Sequence, residues 1–329
     1  MTDDRATLVT GASGFLGRHL VRRLADEGRP IRVLERRPSD AFDGLQVERV
    51  SGDVTDPASL AAAAEGVATV FHLAGVVSHL DAHAARLHAV NVEGVQNVLD
   101  AAREAGVRRV VHVSSVASVG PAPDADHPVD EDAAFPDFAN RYAYPRTKRL
   151  GEERARAAAD AGQDVVIACP GFVIGAGDVN RISTFTVEQY LRGTLRFTVP
   201  GGLSYVDARD VVAGLLLLED AGVSGRRYIL TSDDGNLTHR DFFRLVGDVA
   251  GKRRLTVPLP PRLAVPSARV LATLRAPLPV KPDELRSSVH HWFCSNDRAR
   301  AELGFRPRPV REAVEATVGW YHENGMRGR

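Results

Sequence analysis

The chain has 329 residues, 44% of them hydrophobic, enough for one large domain or two intimate lobes around a sizeable core. Its 42 basic residues balance 42 acidic ones, so a formal net charge of zero gives no electrostatic reason to expect nucleic acid or an acidic membrane as a partner. Two cysteines, Cys169 and Cys294, exclude a disulfide framework. The polar start Met1-Thr2-Asp3-Asp4-Arg5 does not read as a signal peptide, and apolar runs such as 211–218 are too short to span a bilayer. The expected setting is reducing, soluble and cytoplasmic.

In chain order, short β-branched runs alternate with alanine-rich helical stretches. Strands are expected at 6–10, 31–34, 47–50, 69–73, 109–114 and 165–168. Leu16, Leu20 and Leu24 recur at helical spacing after the first strand. Further helices are expected at 55–65, opened by Thr-Asp-Pro, at 88–105, closed by Gly106, and at 141–161, closed by Gly162. Strands separated by helices argue for an α/β fold with a doubly wound parallel sheet. After Pro170 the rhythm changes. Residues 171–177 read as turns, 183–192 as a helix, and 205–218 as a strand followed by an apolar helix. Pro258, Pro260, Pro261, Pro266, Pro277, Pro279 and Pro282 mark a small, loop-rich lobe. Within it, Leu255, Val257, Leu259, Leu263, Val265, Leu271, Leu274 and Leu278 read chiefly as core packing, with the lining of an apolar pocket as the alternative.

Gly11, Gly14 and Gly17 follow the first strand and open the first helix. Glycines at this G-x-x-G-x-x-G spacing let backbone approach a pyrophosphate, and the helix N-terminus adds N–H donors and partial positive charge. Thr10-Gly11-Ala12-Ser13-Gly14-Phe15-Leu16-Gly17 resembles the cofactor fingerprint of the extended short-chain dehydrogenase/reductases. The likeness continues through Gly52-Asp53, His72-Leu73-Ala74-Gly75, Asn91-Val92-Glu93-Gly94, Ser114-Ser115, and Tyr144 with Lys148, in order from about Ala6 to Asp210. The pattern is most similar to members resembling dihydroflavonol reductase and 3β-hydroxysteroid dehydrogenase. It implies a Rossmann domain over 1–178, rejoined by 203–232, and a smaller C-terminal substrate-binding lobe from 179–202 and 233–329. The implied cofactor is NAD(P)H. Its implied contacts are Gly11, Ser13, Gly14, Phe15, Leu16, Gly17, Glu35, Arg36, Asp53, Val54, Leu73, Ala74, Gly75, Ser114, Tyr144, Lys148, Pro170, Gly171 and Val173. The implied partner is a small carbonyl or alcohol substrate. A homodimer is also implied, formed by the helix near Asn91 and the helix of Tyr144, whose Ala155, Ala157, Ala158 and Ala159 permit close packing.

Tyr144 and Lys148 lie four residues apart and so share a helix face. A neighbouring ammonium favours the phenolate of a tyrosine and eases proton exchange with a carbonyl or alcohol oxygen. Ser115 ends a strand, where open α/β sheets place ligands. The resemblance assigns Tyr144 as acid/base, Lys148 as tuner and ribose anchor, and Ser115 as oxygen binder. Ser115 is preferred to Ser114 because it lies five residues before Gly120. Tyr142 is a decoy, followed four residues later by Arg146. Asn91 reads as a structural helix residue, and His79, His83 and His88 read as loop or helix-surface residues. His290-His291 lacks a third ligand, so no metal is expected. Neither a G-x-S-x-G elbow nor a P-loop occurs.

Glu35 at the end of the second strand argues for NAD, because a carboxylate there binds the ribose hydroxyls and repels a 2′-phosphate. Arg36 stands where flavonoid-reductase relatives bind that phosphate, which argues for NADP, and Arg37 adds positive charge. In the bland alternative, Glu35 and Arg37 face solvent and pair with each other. The leading expectation is a carbonyl reductase or alcohol dehydrogenase for a small, largely apolar or aromatic ketone or secondary alcohol. The second is a sugar-nucleotide epimerase or dehydratase with tightly held NAD. Family epimerases grip the diphosphate with an arginine whose place here falls at Leu203, leaving Arg181 or Arg192 as substitutes. Family dehydratases carry Asp-Glu where this chain has Val116-Ala117-Ser118. A non-catalytic cofactor sensor ranks third, since the tyrosine and lysine are both present.

Overall fold

Residues 5–264, 266–267 and 282–325 are described by a computed structural model. The first half builds β1 (Ala6–Thr10), α1 (Phe15–Asp26), β2 (Ile31–Glu35), β3 (Glu48–Ser51), α2 (Pro57–Ala64), β4 (Val67–His72), α3 (Ala84–His88), α4 (Gly94–Glu104), β5 (Arg109–Val113), α5 (Val116–Val119), α6 (Ala143–Asp160) and β6 (Val165–Pro170). The second half adds β7 (Phe172–Ile174), α7 (Phe185–Arg192), β8 (Phe197–Thr198), β9 (Gly202–Asp207), α8 (Ala208–Ala221), β10 (Arg227–Leu230), β11 (Asn236–Thr238) and α9 (His239–Val249). It ends with β12 (Val257–Pro258), α10 (Pro282–Ser288), β13 (His291–Trp292), α11 (Asp297–Leu303) and α12 (Val310–Asn324).

The main sheet has seven strands in the order β10-β6-β5-β4-β1-β2-β3, all parallel. Such a sheet needs helices on both faces, so β4 and β6 are buried along their whole lengths. On one face Leu20 and Leu24 of α1 pack with Val211 and Leu215 of α8; on the other, Leu60, Val95, Val98, Leu99 and Ala155 do the same from α2, α4 and α6. The strand order reverses between β1 and β4. That switch point opens a crevice at the carboxyl ends of the strands. The fold is a Rossmann-type α/β sheet.

Three expectations change. Residues 171–177 are not all turn: Phe172, Val173 and Ile174 form β7, paired in parallel with Tyr205, Val206 and Asp207. Flanking Gly171, Gly175 and Gly177 masked a run with strand propensity. The helix expected at 88–105 begins earlier, at Ala84, and is interrupted by a π-helical turn at Ala89–Glu93. The third concerns the apolar residues of the lobe. Leu255, Val257 and Leu263 are not core but are 84%, 46% and 55% exposed. Val265, Leu271, Leu274 and Leu278, like Pro277 and Pro279, lie outside the described residues.

A second sheet centres on β9, flanked by β7, β11 and β13. It carries its own core, in which Tyr205 stacks on Phe242 with ring centroids 3.9 Å apart. Trp292 and Phe293 are buried. Bridges Ala122↔His291 and Val129↔Cys294 tie this C-terminal segment to the loop after β5. On α6, Ala155 is fully buried and Ala158 and Ala159 pack against the core, whereas Ala157 is exposed. Among the described residues, no helix is long and apolar enough to cross a membrane.

Candidate functional site

The glycine turn is defined by close approach. Gly11 has φ +69°, and a Cβ there would meet the Ala74 nitrogen at 2.6 Å. The turn after β1 therefore rests directly on the turn after β4. A Cβ on Gly17 would collide with the Gly11 carbonyl and meet the Ala12 carbonyl at 2.6 Å. Thr10 reinforces the junction: its Oγ1 lies 2.7 Å from His72 Nδ1 and accepts from the Ala74 N–H at 3.3 Å, and its carbonyl accepts from Leu73 N–H. α1 begins at Phe15 without a side-chain cap, so its first N–H groups stand free for an anion. Leu16 faces the core, and the Phe15 ring meets His19 edge-on. This cradle fits a dinucleotide pyrophosphate.

At one end of the cradle a cleft of about 460 Å³ is lined by Ser13, Arg36, Arg37, Asp53 and Arg86. Arg36 lies 3.9 Å from Asp53 and is 64% exposed. Asp53 Oδ1 also accepts from the Thr55 N–H and hydroxyl, each at 2.9 Å. Val54 is buried, and its carbonyl accepts from Asn97. Glu35 neither lines this cleft nor pairs with Arg37. Its buried carboxylate accepts from Arg49 Nε at 2.7 Å and Nη2 at 3.0 Å. Arg49 comes from β3, one strand over, and also caps the Ser39 carbonyl at 2.7 Å. Arg86, on α3, carried no sequence signal; only the chain's return past the crevice brings it there.

At the other end, Tyr144 opens α6 and hydrogen-bonds Ser115, the residue that caps α5 by accepting from Ala117 N–H at 3.2 Å. Burial pushes the Tyr144 phenol above its ordinary range, and the Ser115 contact opposes that only in part. Lys148, one turn on, is buried and donates to the Val113 carbonyl at 2.8 Å. Burial lowers its ammonium to about 8. Gly75 sits beside it: a Cβ there would lie 3.9 Å from Lys148 Nζ. Asn91, within the π-helical turn, fixes this loop by accepting from Val76 N–H at 2.8 Å and donating to the Val76 carbonyl at 3.0 Å.

The adjacent serines part company. Ser114 is buried and donates to Glu152 at 3.0 Å, behind the sheet's edge, while Ser115 faces Tyr144. Glu152, a further turn along α6, is the hub of a buried network with no sequence signal of its own. Its Oε2 lies 2.6 Å from the Ser118 hydroxyl, and its Oε1 accepts from Arg156 at 3.0 Å and Arg227 at 3.2 Å. On the neighbouring strands β4 and β5, the stacked rings of His72 and His112 are 5.4 Å apart. Burial holds His72 down to about 3, and His112 also well below its usual value. Pro170 ends β6; the Gly171 N–H donates to Leu230, and Val173 faces Val206, so all three mark the crossing into the second sheet.

Several residues read as incidental have definite places. His79 lies in a loop, as read, but it is half-buried and its ring meets that of Tyr144 edge to face at 5.8 Å. Tyr142 ties the start of α6 to the C-terminal segment, donating to the Arg286 carbonyl at 2.9 Å and lying 3.0 Å from His290 Nε2. Arg181 and Arg192 are both bound to the buried Glu188, at 3.1 and 2.7 Å, and Arg209 is bound to Asp207 at 2.6 Å. Among the described residues no group of His, Cys, Asp and Glu forms a metal cage.

A family model described as the NAD dependent epimerase/dehydratase family matches residues 7–230. Sterol demethylase protein B of Methylococcus capsulatus is 36% identical over 97% of this chain and 99% of its own. A putative dihydroflavonol 4-reductase of Synechocystis is 33% identical over 96% of this chain and 94% of its own. The crystal structure of gox2253 superposes with a TM-score of 0.86 at 31% identity, covering 98% of this chain and 100% of that one. The chain belongs to the NAD-dependent epimerase/dehydratase family of extended short-chain dehydrogenase/reductases, and it is an enzyme that takes a nicotinamide cofactor.

Proposed function

With that family as premise, we propose that this enzyme is an NADP-linked carbonyl reductase, working in reverse as an alcohol dehydrogenase, for an apolar or aromatic ketone. The observation that carries the reading is the pairing of Tyr144 with Ser115 beside a buried lysine. A phenol whose pKa is raised stays protonated at neutral pH, the state needed to donate to a carbonyl oxygen. Ser115 holds the same oxygen by its hydroxyl. Lys148, held against the Val113 carbonyl, would bind the cofactor's ribose with its ammonium. When bound, the nicotinamide supplies the hydride chemistry that the side chains cannot. Tyr144, Ser115 and Lys148 orient the substrate and move the proton.

The cofactor preference follows from charge. A carboxylate at the end of β2 would repel a 2′-phosphate, but Glu35 is neutralised and turned inward by Arg49. Arg36, Arg37 and Arg86 then outnumber Asp53 around an open cleft, a setting that favours a dianionic phosphate. The sugar-nucleotide alternative loses support because Arg181, Arg192 and Arg209 already hold carboxylates. The names of the relatives, a sterol demethylase protein and a putative dihydroflavonol 4-reductase, support an apolar or aromatic substrate.

The test is a panel of cyclic and aromatic ketones and sugar nucleotides, followed by nicotinamide absorbance and product analysis. NADPH consumption with an apolar ketone is expected. Interconversion of a sugar nucleotide without added cofactor, together with no ketone reduction, overturns the reading.

A further inference from the structure

Zero net charge conceals a local segregation. From Val249 to Ala264 the chain carries Lys252, Arg253, Arg254 and Arg262 and no acidic residue. Arg240 and Arg244 approach from α9. With Arg253 and Arg254 they line a depression of about 230 Å³ backed by Tyr190, Phe243 and Leu255. Arg244 and Arg253 hold Asp241 at 2.9 Å and Asp248 at 2.6 Å. Arg254 donates to the Leu191 carbonyl at 2.7 Å, so its fork is fixed at the rim. Across residues 240–264, six basic side chains thus stand against two carboxylates, and Lys252 and Arg262 are exposed.

The same stretch, and the strand paired with it, carry large apolar groups in water. Leu255 is 84% exposed, Phe197 54% and Leu263 55%. β8 and β12 pair in parallel with Phe197 opposite Val257, which sets these two side chains next to each other on one face of the ribbon. Scattered exposed leucines need no explanation, but a group of them rimmed by cations does. Arginine, five of the six cations here, also serves protein interfaces, but a protein partner would need a matching acidic rim around an apolar centre. A bilayer with anionic headgroups supplies phosphates and acyl chains in one surface, with the charges outermost.

We propose that this face docks on an anionic phospholipid bilayer. The basic side chains meet headgroup phosphates, and Phe197, Leu255, Val257 and Leu263 enter the headgroup–acyl boundary. The docking is peripheral, with no span, and it stands independently of the catalytic reading. It reverses the expectation drawn from the balanced whole-chain charge, because a membrane meets one face and not the average.

The experiment is cosedimentation of the full chain with vesicles of phosphatidylcholine alone and of phosphatidylcholine mixed with phosphatidylglycerol. Binding to the anionic vesicles only is expected, weakened by high salt. Lys252→Ala with Arg262→Ala should cut partitioning about twentyfold, near fivefold for each charge. Leu255→Ser should cut it about tenfold. Unchanged NADPH binding by each variant shows that it is folded. Equal binding to neutral vesicles, no binding, or variants indistinguishable from the parent overturns the proposal. So does a dimer in solution that Phe197→Glu splits, because a second copy would then cover the face. Vesicle binding needs no substrate, so a failed ketone screen leaves this result standing.

Discussion

The two ends of the cofactor crevice are built on opposite principles. The Tyr144 end is dry and over-determined: Lys148, Ser114, Ser118 and Glu152 are buried and hydrogen-bonded, and His72 and His112 are kept neutral behind them. The Arg36 end is wet and loosely held, with Arg36 mostly exposed and its acidic neighbour 3.9 Å away. Chemistry on a carbonyl requires groups fixed to fractions of an ångström, whereas a doubly charged phosphate is caught by any concave array of cations. Substitutions should therefore act sharply at the first end and gradually at the second.

The largest effect is expected from Tyr144→Phe. It should lower turnover about a thousandfold, roughly 4 kcal/mol of transition-state stabilisation, while the cofactor dissociation constant stays within about twofold. Comparable turnover in the variant would erase the contrast between the ends. Next comes Glu152→Gln, which removes the counter-charge of Arg227 within a buried network. Urea denaturation should show a loss of about 3 kcal/mol. An unchanged midpoint would mean that the dry end is not over-determined. Arg36→Ala should weaken NADPH binding about tenfold, near 1.4 kcal/mol, and leave NADH binding almost unchanged, as titration calorimetry would show. Arg49→Leu should act in the same direction, since it frees the Glu35 carboxylate to repel the phosphate.

A further effect concerns pH. Lys148 is lowered from its ordinary value to about 8, so the native state binds fewer protons than the unfolded chain between about 8 and 10.5. Stability without cofactor should therefore rise with pH across that window. Cofactor affinity should fall, by less than about tenfold, as the ammonium near the ribose is lost. Opposite slopes in thermal melts and in binding titrations would sharpen the assignment; parallel slopes would break it.

Legibility in the sequence followed the same division. The glycine turn, Ser115, Tyr144 and Lys148 were readable because close backbone approach and helical spacing leave local traces. Six strands of the main sheet were readable by their β-branched runs, but the seventh, Arg227–Leu230, carries a single β-branched residue, Ile229, and so gives no such run. Arg49, Arg86 and Glu152 were not readable. Each acts through a contact made across strands or helices, and nothing in their neighbours along the chain marks them. Glu35 was half legible for the same reason: its position at the end of β2 was visible, but its partner on β3 was not. The apolar residues around Leu255 looked like core because composition does not distinguish a buried leucine from an exposed one.

The measurement that reaches both ends at once is kcat/KM for reduction of an apolar ketone with NADPH and with NADH. The account predicts turnover with both and a preference for NADPH of more than about tenfold, or 1.4 kcal/mol. A preference for NADH would contradict the charge reading of the Arg36 end. No ketone turnover with either cofactor would contradict the role given to Tyr144 and Ser115.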